Sequence, residues 1–302
     1  MTTRVVHWRE AADPDDLREY DAFGPWIDPV RTEVEMPRRF RDWYPELSQA
    51  QTLLKIPRDF DRAQVRPGDD LYQSIVALFE DRICLLRAET PGGGDVERRD
   101  VRFRDVVGVQ SQVNLLQATW TLLLVDGSRI AVPHSSTSHD VIDKVTAQVR
   151  AQIAGAERPL PTAEPLHPTD HLFKNRVVQW ERALGAAVPL LVDPRNVPCR
   201  SSGRGWLRLS TGAMILFTPG ELVIVNRGEA TRPVFMPNYA VGTVELPYDR
   251  LTSFSLRPPA RWSSFHGLVL RADAQEYVQP CLSTPDAVVD QLRRIGVGEL
   301  AD

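Results

Sequence analysis

Two histidines four residues apart give the chain its closest approach to a metal-binding motif. They lie in the segment His167-Pro-Thr-Asp-His171, and on one helical face they would present two ring nitrogens of the kind that zinc binds. Pro168 disfavours helical backbone at His167, and Asp170 is suited to cap a helix that begins after it. The sequence therefore favours a helix start over a metal site, and it predicts no metal and no cofactor.

The short motifs that supply catalytic groups to common enzyme classes do not occur in the chain. It has no glycine–lysine pair for phosphate, no HExxH zinc motif, no CxxC pair and no GxSxG nucleophile turn. The acidic pairs Asp69-Asp70 and Glu80-Asp81 fall at predicted turns, where carboxylates bond to the backbone. We therefore expect a noncatalytic protein; an enzyme of unknown class with a site between domains is the alternative.

Charge and composition narrow the range of partners and locations. The 302 residues include 36 basic and 40 acidic side chains, a net charge of −4, whereas nucleic-acid-binding domains carry a basic excess. The longest apolar run, 183–192, is interrupted by Gly185 and Pro189 and is too short to span a bilayer. Without a secretory signal pattern, the sequence predicts a cytoplasmic protein with no nucleic-acid partner and no integral membrane segment.

Residues 1–69 combine dense prolines with eight aromatic residues, which need burial. They are predicted to form an irregular arm packed on the first domain. Within the arm, the segment Pro37–Tyr44 alternates arginines with aromatics. Three interpretations are open for it: an anchor with its aromatics buried and its arginines in solvent or paired to acids, a contact for a partner protein, or a nucleic-acid contact.

An internal repeat organises the rest of the chain. Residues 72–86 predict a strand hairpin that turns at Glu80-Asp81, and residues 213–225 predict a second hairpin that turns at 218–220. Residues 121–149 align without a gap on residues 267–295, with agreement in turn position, strand order and helix cap. We expect two separate β-rich domains, each ending in a helix, at about 139–153 and 285–296.

Each repeat resembles the bacterial pleckstrin-homology-like (PH-like) domains, in which short antiparallel strands are followed by one C-terminal helix. The matching segments are 76–86, 101–109 and 121–153 in the first repeat, and 213–225, 244–254 and 267–295 in the second. The resemblance implies an α+β fold that is mainly β, with two PH-like barrels, each closed by its helix. The predicted organisation is an arm at 1–69, PH-like domain 1 at 70–154, a linker with one helix at 155–200, and PH-like domain 2 at 201–302.

Three functions fit this organisation: a noncatalytic protein-interaction scaffold or adaptor, a membrane-surface adaptor that binds anionic lipid, and the enzyme named above. PH-like domains that bind lipid head groups carry lysines and arginines around the first hairpin. Here both hairpin turns carry acid, at Glu80-Asp81 and at Glu221, and the attraction of a surface to anionic lipid is only about 1 kcal/mol per basic residue. Lipid binding is therefore the less favoured alternative.

The expected partner is a protein, with copies of this chain as one alternative. Tryptophan and tyrosine are enriched at binding hot spots. Four aromatic residues outside the predicted core strands are therefore the candidate contacts: Trp206, Tyr239, Trp262 and Phe265. The competing interpretation is that these rings simply pack beneath loops.

Overall fold

The computed structural model describes residues 9, 12–199, 208–233, 239–260 and 263–300. The fold is mainly β: 38% of the residues lie in strands, which form several sheets, and 25% lie in helices. The chain divides into two compact units. The first unit comprises residues 1–103 and 132–145, and the second comprises 104–131 and 146–302. This division differs from the predicted boundaries, since each unit takes residues from two separate stretches of the chain.

The first unit contains a five-stranded antiparallel sheet in the order β1-β2-β3-β4-β5. Its strands are β1 (Asp28–Pro29), β2 (Thr52–Pro57), β3 (Tyr72–Leu78), β4 (Arg82–Arg87) and β5 (Glu97–Arg102). Helix α1 (Pro14–Ala22) comes before the strands of this sheet in the chain. A 3-10 helix (Arg38–Trp43) and helix α2 (Tyr44–Leu47) lie between β1 and β2. The predicted hairpin is confirmed as β3–β4, whose turn is closed by the Phe79 N–H donating to the Arg82 carbonyl at 2.9 Å.

The segment 1–69 is less irregular than its prolines suggested, because it supplies β1 and β2 to the sheet. Its buried side chains form one core with β3 and β4; members of that core include Phe23, Val30, Met36, Phe40, Leu47, Ile75, Cys84 and Leu86. Two of its aromatics, Trp26 and Phe60, stay exposed, so burial does not account for every ring in the segment.

The anchor interpretation of residues 37–44 is confirmed. Phe40 is fully buried, and the three arginines of the segment all pair with acids. Arg38 pairs with Asp16 and Glu19, Arg39 with Asp70, and Arg41 with Asp15. The cationic groups of this segment are therefore neutralised within the first unit.

Shortening Val30 to alanine is expected to lower the free energy of unfolding by about 1–2 kcal/mol, since each buried methylene contributes about 0.8 kcal/mol. Val30 is buried in the shared core, whereas Val34, four residues later, is 54% exposed. Urea denaturation of Val30→Ala beside Val34→Ala measures the difference. Equal midpoints for the two variants would contradict the packing of this segment.

The second unit contains most of a seven-stranded sheet in the order β8-β7-β6-β15-β13-β12-β9, together with a four-stranded sheet β18-β17-β16-β19 and a three-stranded sheet β10-β11-β14. The strands that precede residue 200 are β6 (Val106–Asn114), β7 (Gln117–Leu124), β8 (Arg129–Ser135), β9 (Val188–Asp193) and β10 (Pro198–Cys199). The later strands are β11 (Arg208–Ser210), β12 (Ala213–Phe217), β13 (Glu221–Asn226), β14 (Thr231–Pro233), β15 (Ala240–Pro247), β16 (Ser253–Arg257), β17 (His266–Ala272), β18 (Gln275–Cys281) and β19 (Gly298–Glu299).

Three longer helices follow the predicted positions: α3 (His139–Ile153), α4 (His171–Leu184) and α5 (Asp286–Arg294). The predicted cap of α4 is confirmed, because the Asp170 carboxylate accepts the Leu172 N–H at 2.8 Å. Pro285 immediately precedes α5, and Ser138 lies in a 3-10 helix that leads into α3.

The expectation that each repeat forms its own sheet is wrong. Strand β6, from the first repeat, pairs antiparallel with β15, from the second, over six residue pairs from Ala240–Asn114 to Glu245–Val109. This pairing satisfies backbone groups that would otherwise lie along two open sheet edges. Among the described residues no sheet closes into a barrel, so the predicted pair of barrels is not what this structure displays.

The long sheet of the second unit is covered on both faces. Alternate side chains point to opposite faces of a strand. Met214, Leu216 and Val223 pack with Phe173 and Trp180 of α4 on one face. On the other face, Ile215 and Ile224 belong to a core shared with the four-stranded sheet and α5. The result is a two-sheet sandwich whose core continues beneath a helix.

Candidate functional site

A row of directly paired residues crosses five strands of the long sheet at the point where its apolar core ends. The row runs Gln112, Gly242, Asn226, Ala213 and Asp193, one residue from each of β6, β15, β13, β12 and β9. Residues directly opposite one another share a sheet face. Two residues further along the strands, the corresponding row begins with the partly exposed Gln110 on β6 and continues with Val244, Ile224, Ile215 and Leu191, which are buried in the core. The polar row therefore closes the sandwich at one end.

A cavity of about 270 Å³ lies over this row. Its floor includes Gln112, Gly242 and Asn226, and its lining also includes Tyr277 and Gln279 of β18 together with Phe265. All of these residues belong to the second unit. The cavity is therefore formed where the polar row of one sheet meets a polar strand of the other.

A chain of hydrogen bonds fixes the polar groups of this wall. The Asn226 amide nitrogen donates to the Tyr277 hydroxyl at 3.2 Å, and that hydroxyl donates to the Gln279 Oε1 at 3.2 Å. The Gln279 amide nitrogen donates to the Pro280 carbonyl at 2.7 Å. Burial raises the pKa of Tyr277 to about 12, so its hydroxyl stays protonated at neutral pH. The groups of this wall are neutral and hydrogen-bonded to one another.

Asp193 holds the backbone that follows β18. It is buried, and its two oxygens accept the N–H groups of Leu282 and Ser283 at 2.5 and 2.9 Å. Burial raises the pKa of Asp193, and the two hydrogen bonds oppose that rise. Because each carboxylate oxygen is already bonded to the backbone, this group serves the fold and offers little to a substrate as a general base.

Gly242 lies in the lining of the cavity, directly beneath the Asn226 side-chain amide. A Cβ at this position would lie 2.6 Å from the Asn226 Oδ1, which is closer than non-bonded atoms approach. Any side chain here would displace the Asn226 amide. Glycine thus leaves room for the Asn226 side chain of the adjacent strand.

The hairpin between β6 and β7 ends in two exposed leucines beside this cavity. Leu115 is 62% exposed and Leu116 is 71% exposed. Tyr239, which is 58% exposed, precedes Ala240, the residue paired with Asn114 at the base of the turn. We call Leu115, Leu116 and Tyr239 the apolar tip. It lies at the same end of β6 and β15 as the cavity, and both Leu115 and Tyr239 are three residues beyond the pair Gln112–Gly242.

Two of the four predicted contact residues take part in this site. Tyr239 belongs to the apolar tip, and Phe265 lines the cavity. Trp206 and Trp262 lie outside the described residues. Sequence reasoning missed the amides of the polar row and the two leucines, although a signal was present. From Val106 to Val125 the chain has no charged side chain, and Leu-Leu occupies a turn where glycine or asparagine is usual.

Clusters suited to binding a metal ion do not occur in the described part of the chain. No cluster of three or more histidine, cysteine or acidic residues there could hold a metal ion, and His167 lies before the start of α4. All three cysteines are buried, and burial raises the pKa of both Cys84 and Cys281 to about 12. Neither of these two thiols is therefore a ready nucleophile.

Leu115 has a backbone φ of +54°, in the left-handed region that costs an L-residue about 1–2 kcal/mol. Replacing it with glycine relieves that cost, and the exposed side chain has little packing to lose. Leu115→Gly is therefore expected to raise the free energy of unfolding by about 0.5 kcal/mol once the greater entropy of unfolded glycine is counted. Chemical denaturation measures the free energy of unfolding of Leu115→Gly, with Leu116→Gly, at a position without positive φ, as the control. A Leu115→Gly variant that is less stable than the wild-type chain would contradict the backbone strain.

Comparison with known proteins leaves the site to be interpreted from its own geometry. No family model matches the chain, and no curated protein matches it. Within the described ranges, the helices are all too short or too polar to cross a bilayer.

Proposed function

We propose that this chain is a noncatalytic protein-interaction scaffold or adaptor that uses the apolar tip to enter a pocket on a partner protein. The observation that supports the proposal is a pair of adjacent leucines, 62% and 71% exposed, on the turn of a hairpin. Contiguous exposed apolar groups on a soluble protein are typical of interaction sites.

Backbone strain strengthens this interpretation. A leucine at positive φ is unfavourable, and the Leu115 side chain is mostly exposed to solvent. Strained residues persist where function requires the side chain in one position. Contact with a partner would supply the packing that the folded chain does not.

The charge pattern favours a protein pocket over a membrane. The hairpin from Val106 to Val125 has no lysine or arginine, whereas binding to anionic lipid depends on basic residues near the surface. Two leucines alone are a weak membrane anchor, because even one long acyl chain binds only marginally. An uncharged apolar pocket on another protein is the better match.

The sequence repeat and its resemblance to PH-like domains remain part of the proposal. A chain with two compact units can carry two binding surfaces, and linked surfaces raise avidity through effective concentration. The apolar tip would be one of these surfaces. The same experiment decides whether the tip binds a different protein or a second copy of this chain.

A photoreactive amino acid at position 116 tests the proposal in cells that express the full chain. We expect a specific protein crosslink, and the purified crosslinked partner should bind the wild-type chain at least tenfold more tightly than Leu115→Gly/Leu116→Ser in calorimetry. The matched control is Val34→Ser, which alters an exposed apolar residue of the first unit. Crosslinking to lipid, no crosslink, or equal affinity of the tip variant and the control would overturn the proposal.

A further inference from the structure

We propose that the apolar tip of one copy of this chain enters an apolar groove on a second copy, so that the chain is its own partner. This assignment rests on the proposed function of the tip and adds the surface that receives it. Three features of the second unit support it: the apolar lining of the groove, the absence of charge from the hairpin that carries the tip, and the placement of tip and groove at opposite ends of one sheet.

The groove has a volume of about 350 Å³ and lies between two helices and a turn of the second unit. The C-terminal part of α3 contributes Ala147 and Ala151, and the last turn of α4 contributes Leu184. The turn between β12 and β13 adds Pro219, and the end of β15 adds Pro247. A concave surface with a mainly aliphatic lining is suited to bulky apolar side chains. We call it the α3–α4 groove.

The charges in the α3–α4 groove favour an uncharged occupant. Arg150 and Glu221 line the groove, but they are bonded to each other at 2.5 Å, and Glu157 is exposed. A charged group would therefore lose its hydration there without gaining an unpaired counter-charge, which is unfavourable. The tip meets this requirement, because the chain from Val106 to Val125 has no charged side chain.

Two other cavities in the described part of the chain are poor receptors for the tip. The cavity over the polar row is lined by several side-chain amides, among them those of Gln112, Asn226 and Gln279. A hollow beside the 91–94 loop of the first unit is lined by charged groups, among them Arg39 and Asp70. Leucine side chains would take water from these polar groups and offer no hydrogen bonds in exchange, which costs free energy.

The tip and the α3–α4 groove lie at opposite ends of the same strands. The tip follows the pair Asn114–Ala240 of β6 and β15, whereas Glu221 and Pro247, which pair at the other end of β13 and β15, line the groove. The eight residues of β15 span about 25 Å, so a tip cannot enter the groove of its own chain. A contact between copies uses two different surfaces and leaves a tip and a groove open for further copies.

Sedimentation velocity of the purified full chain tests the inference, because the contact makes association depend on concentration. The tip has only three residues, and small interfaces are typically weak, so we expect a Kd of about 10–100 μM. Leu115→Gly/Leu116→Ser removes the leucines, and Ala151→Trp fills the groove from an exposed position of α3. Each should weaken association about tenfold or more. The matched control, Gln152→Trp, adds the same ring to α3 outside the groove lining and should associate as the wild-type chain does.

A mixture of the two weakened variants identifies a contact between unlike surfaces. The tip variant keeps an intact groove, and Ala151→Trp keeps an intact tip. Each variant alone should stay monomeric at concentrations where the wild-type chain associates, whereas the equimolar mixture should form dimers and nothing larger, since one tip and one groove remain per pair.

Three results would overturn the inference: a wild-type chain that stays monomeric at about 1 mM, association that Ala151→Trp leaves intact, or a mixture of the two variants that does not associate. These outcomes can be told apart from failure of the proposed function. If the wild-type chain is monomeric and position 116 crosslinks to a different protein, only this inference fails. If position 116 gives no protein crosslink, the proposed function fails with it.

Discussion

Replacing Arg150 with methionine is expected to lower the free energy of unfolding by about 3–5 kcal/mol, the usual cost of removing one member of a buried ion pair. Arg150 of α3 donates from Nη2 to the Glu221 Oε1 at 2.5 Å, and its Nε lies 3.1 Å from the Glu245 Oε2. Both carboxylates are buried. The guanidinium also lies over the Trp180 ring, 4.4 Å from its centroid. Guanidinium denaturation of the full chain measures the loss.

The cost of Arg150→Met should depend on pH. Burial raises the pKa of Glu221, and the Arg150 guanidinium opposes that rise. A carboxyl whose folded pKa is raised above its unfolded value stabilises the fold below the unfolded pKa, and this stabilisation is lost as pH rises through the folded pKa. Without Arg150 the pKa of Glu221 rises further. The destabilisation should therefore be largest at neutral pH and should shrink as pH falls and the carboxyls become protonated.

The same substitution on the surface provides the comparison. Arg293 of α5 pairs with Asp290 and Glu299 at 3.0 and 2.8 Å, distances close to those around Arg150, but its side chain is about half exposed. Exposed pairs contribute about 0–1 kcal/mol, so Arg293→Met should hardly change the free energy of unfolding. Equal losses for the two variants, or a loss at Arg150 that does not change with pH, would show that packing rather than buried charge sets the cost.

Local features of the fold could be predicted from the sequence, and distant pairings could not. The turn at Glu80-Asp81 and the Asp170 cap depend on residues a few positions apart, so their patterns are visible in the chain. The pairing of β6 with β15 joins Val109 to Glu245, and alternation of apolar residues does not specify which strand lies beside which. The polar row depends on that pairing, since Gln112 and Asn226 fall in one row only because each pairs with Gly242.

Buried ionic groups were equally hidden from the sequence. The sequence predicts that Asp70 lies at a turn and bonds to the backbone, whereas in the first unit its carboxylate pairs with two arginines. Arg150 falls on the predicted helix with nothing in its neighbourhood to mark Glu221, 71 positions later, as its partner. The two clusters have opposite composition. In the first unit one acid, Asp70, pairs with two arginines, and in the second unit one arginine, Arg150, pairs with two acids.

Replacing Asp70 with alanine is therefore expected to destabilise the chain by about 3–5 kcal/mol, because it leaves two arginines without their counter-charge. The Asp70 Oδ2 accepts from Arg39 Nη1 at 2.6 Å and from Arg58 Nη2 at 2.9 Å, and Arg58 is buried. Arg39 also donates to the carbonyls of Gly93 and Gly94. Loss of Asp70 should release the 91–94 loop as well, so both the melting temperature and protease resistance there should fall.

The neighbouring residue gives a close control for this variant. Asp69 is exposed and accepts one hydrogen bond, from the Arg66 N–H at 2.7 Å, so Asp69→Ala should cost about 1 kcal/mol or less. Limited proteolysis followed by mass spectrometry locates the cuts, and denaturant unfolding gives the free energies. If Asp70→Ala unfolds at the same denaturant concentration as Asp69→Ala, and the glycine loop is cut no faster, then the carbonyls around Arg58 and Arg39 suffice to hold both arginines without a carboxylate.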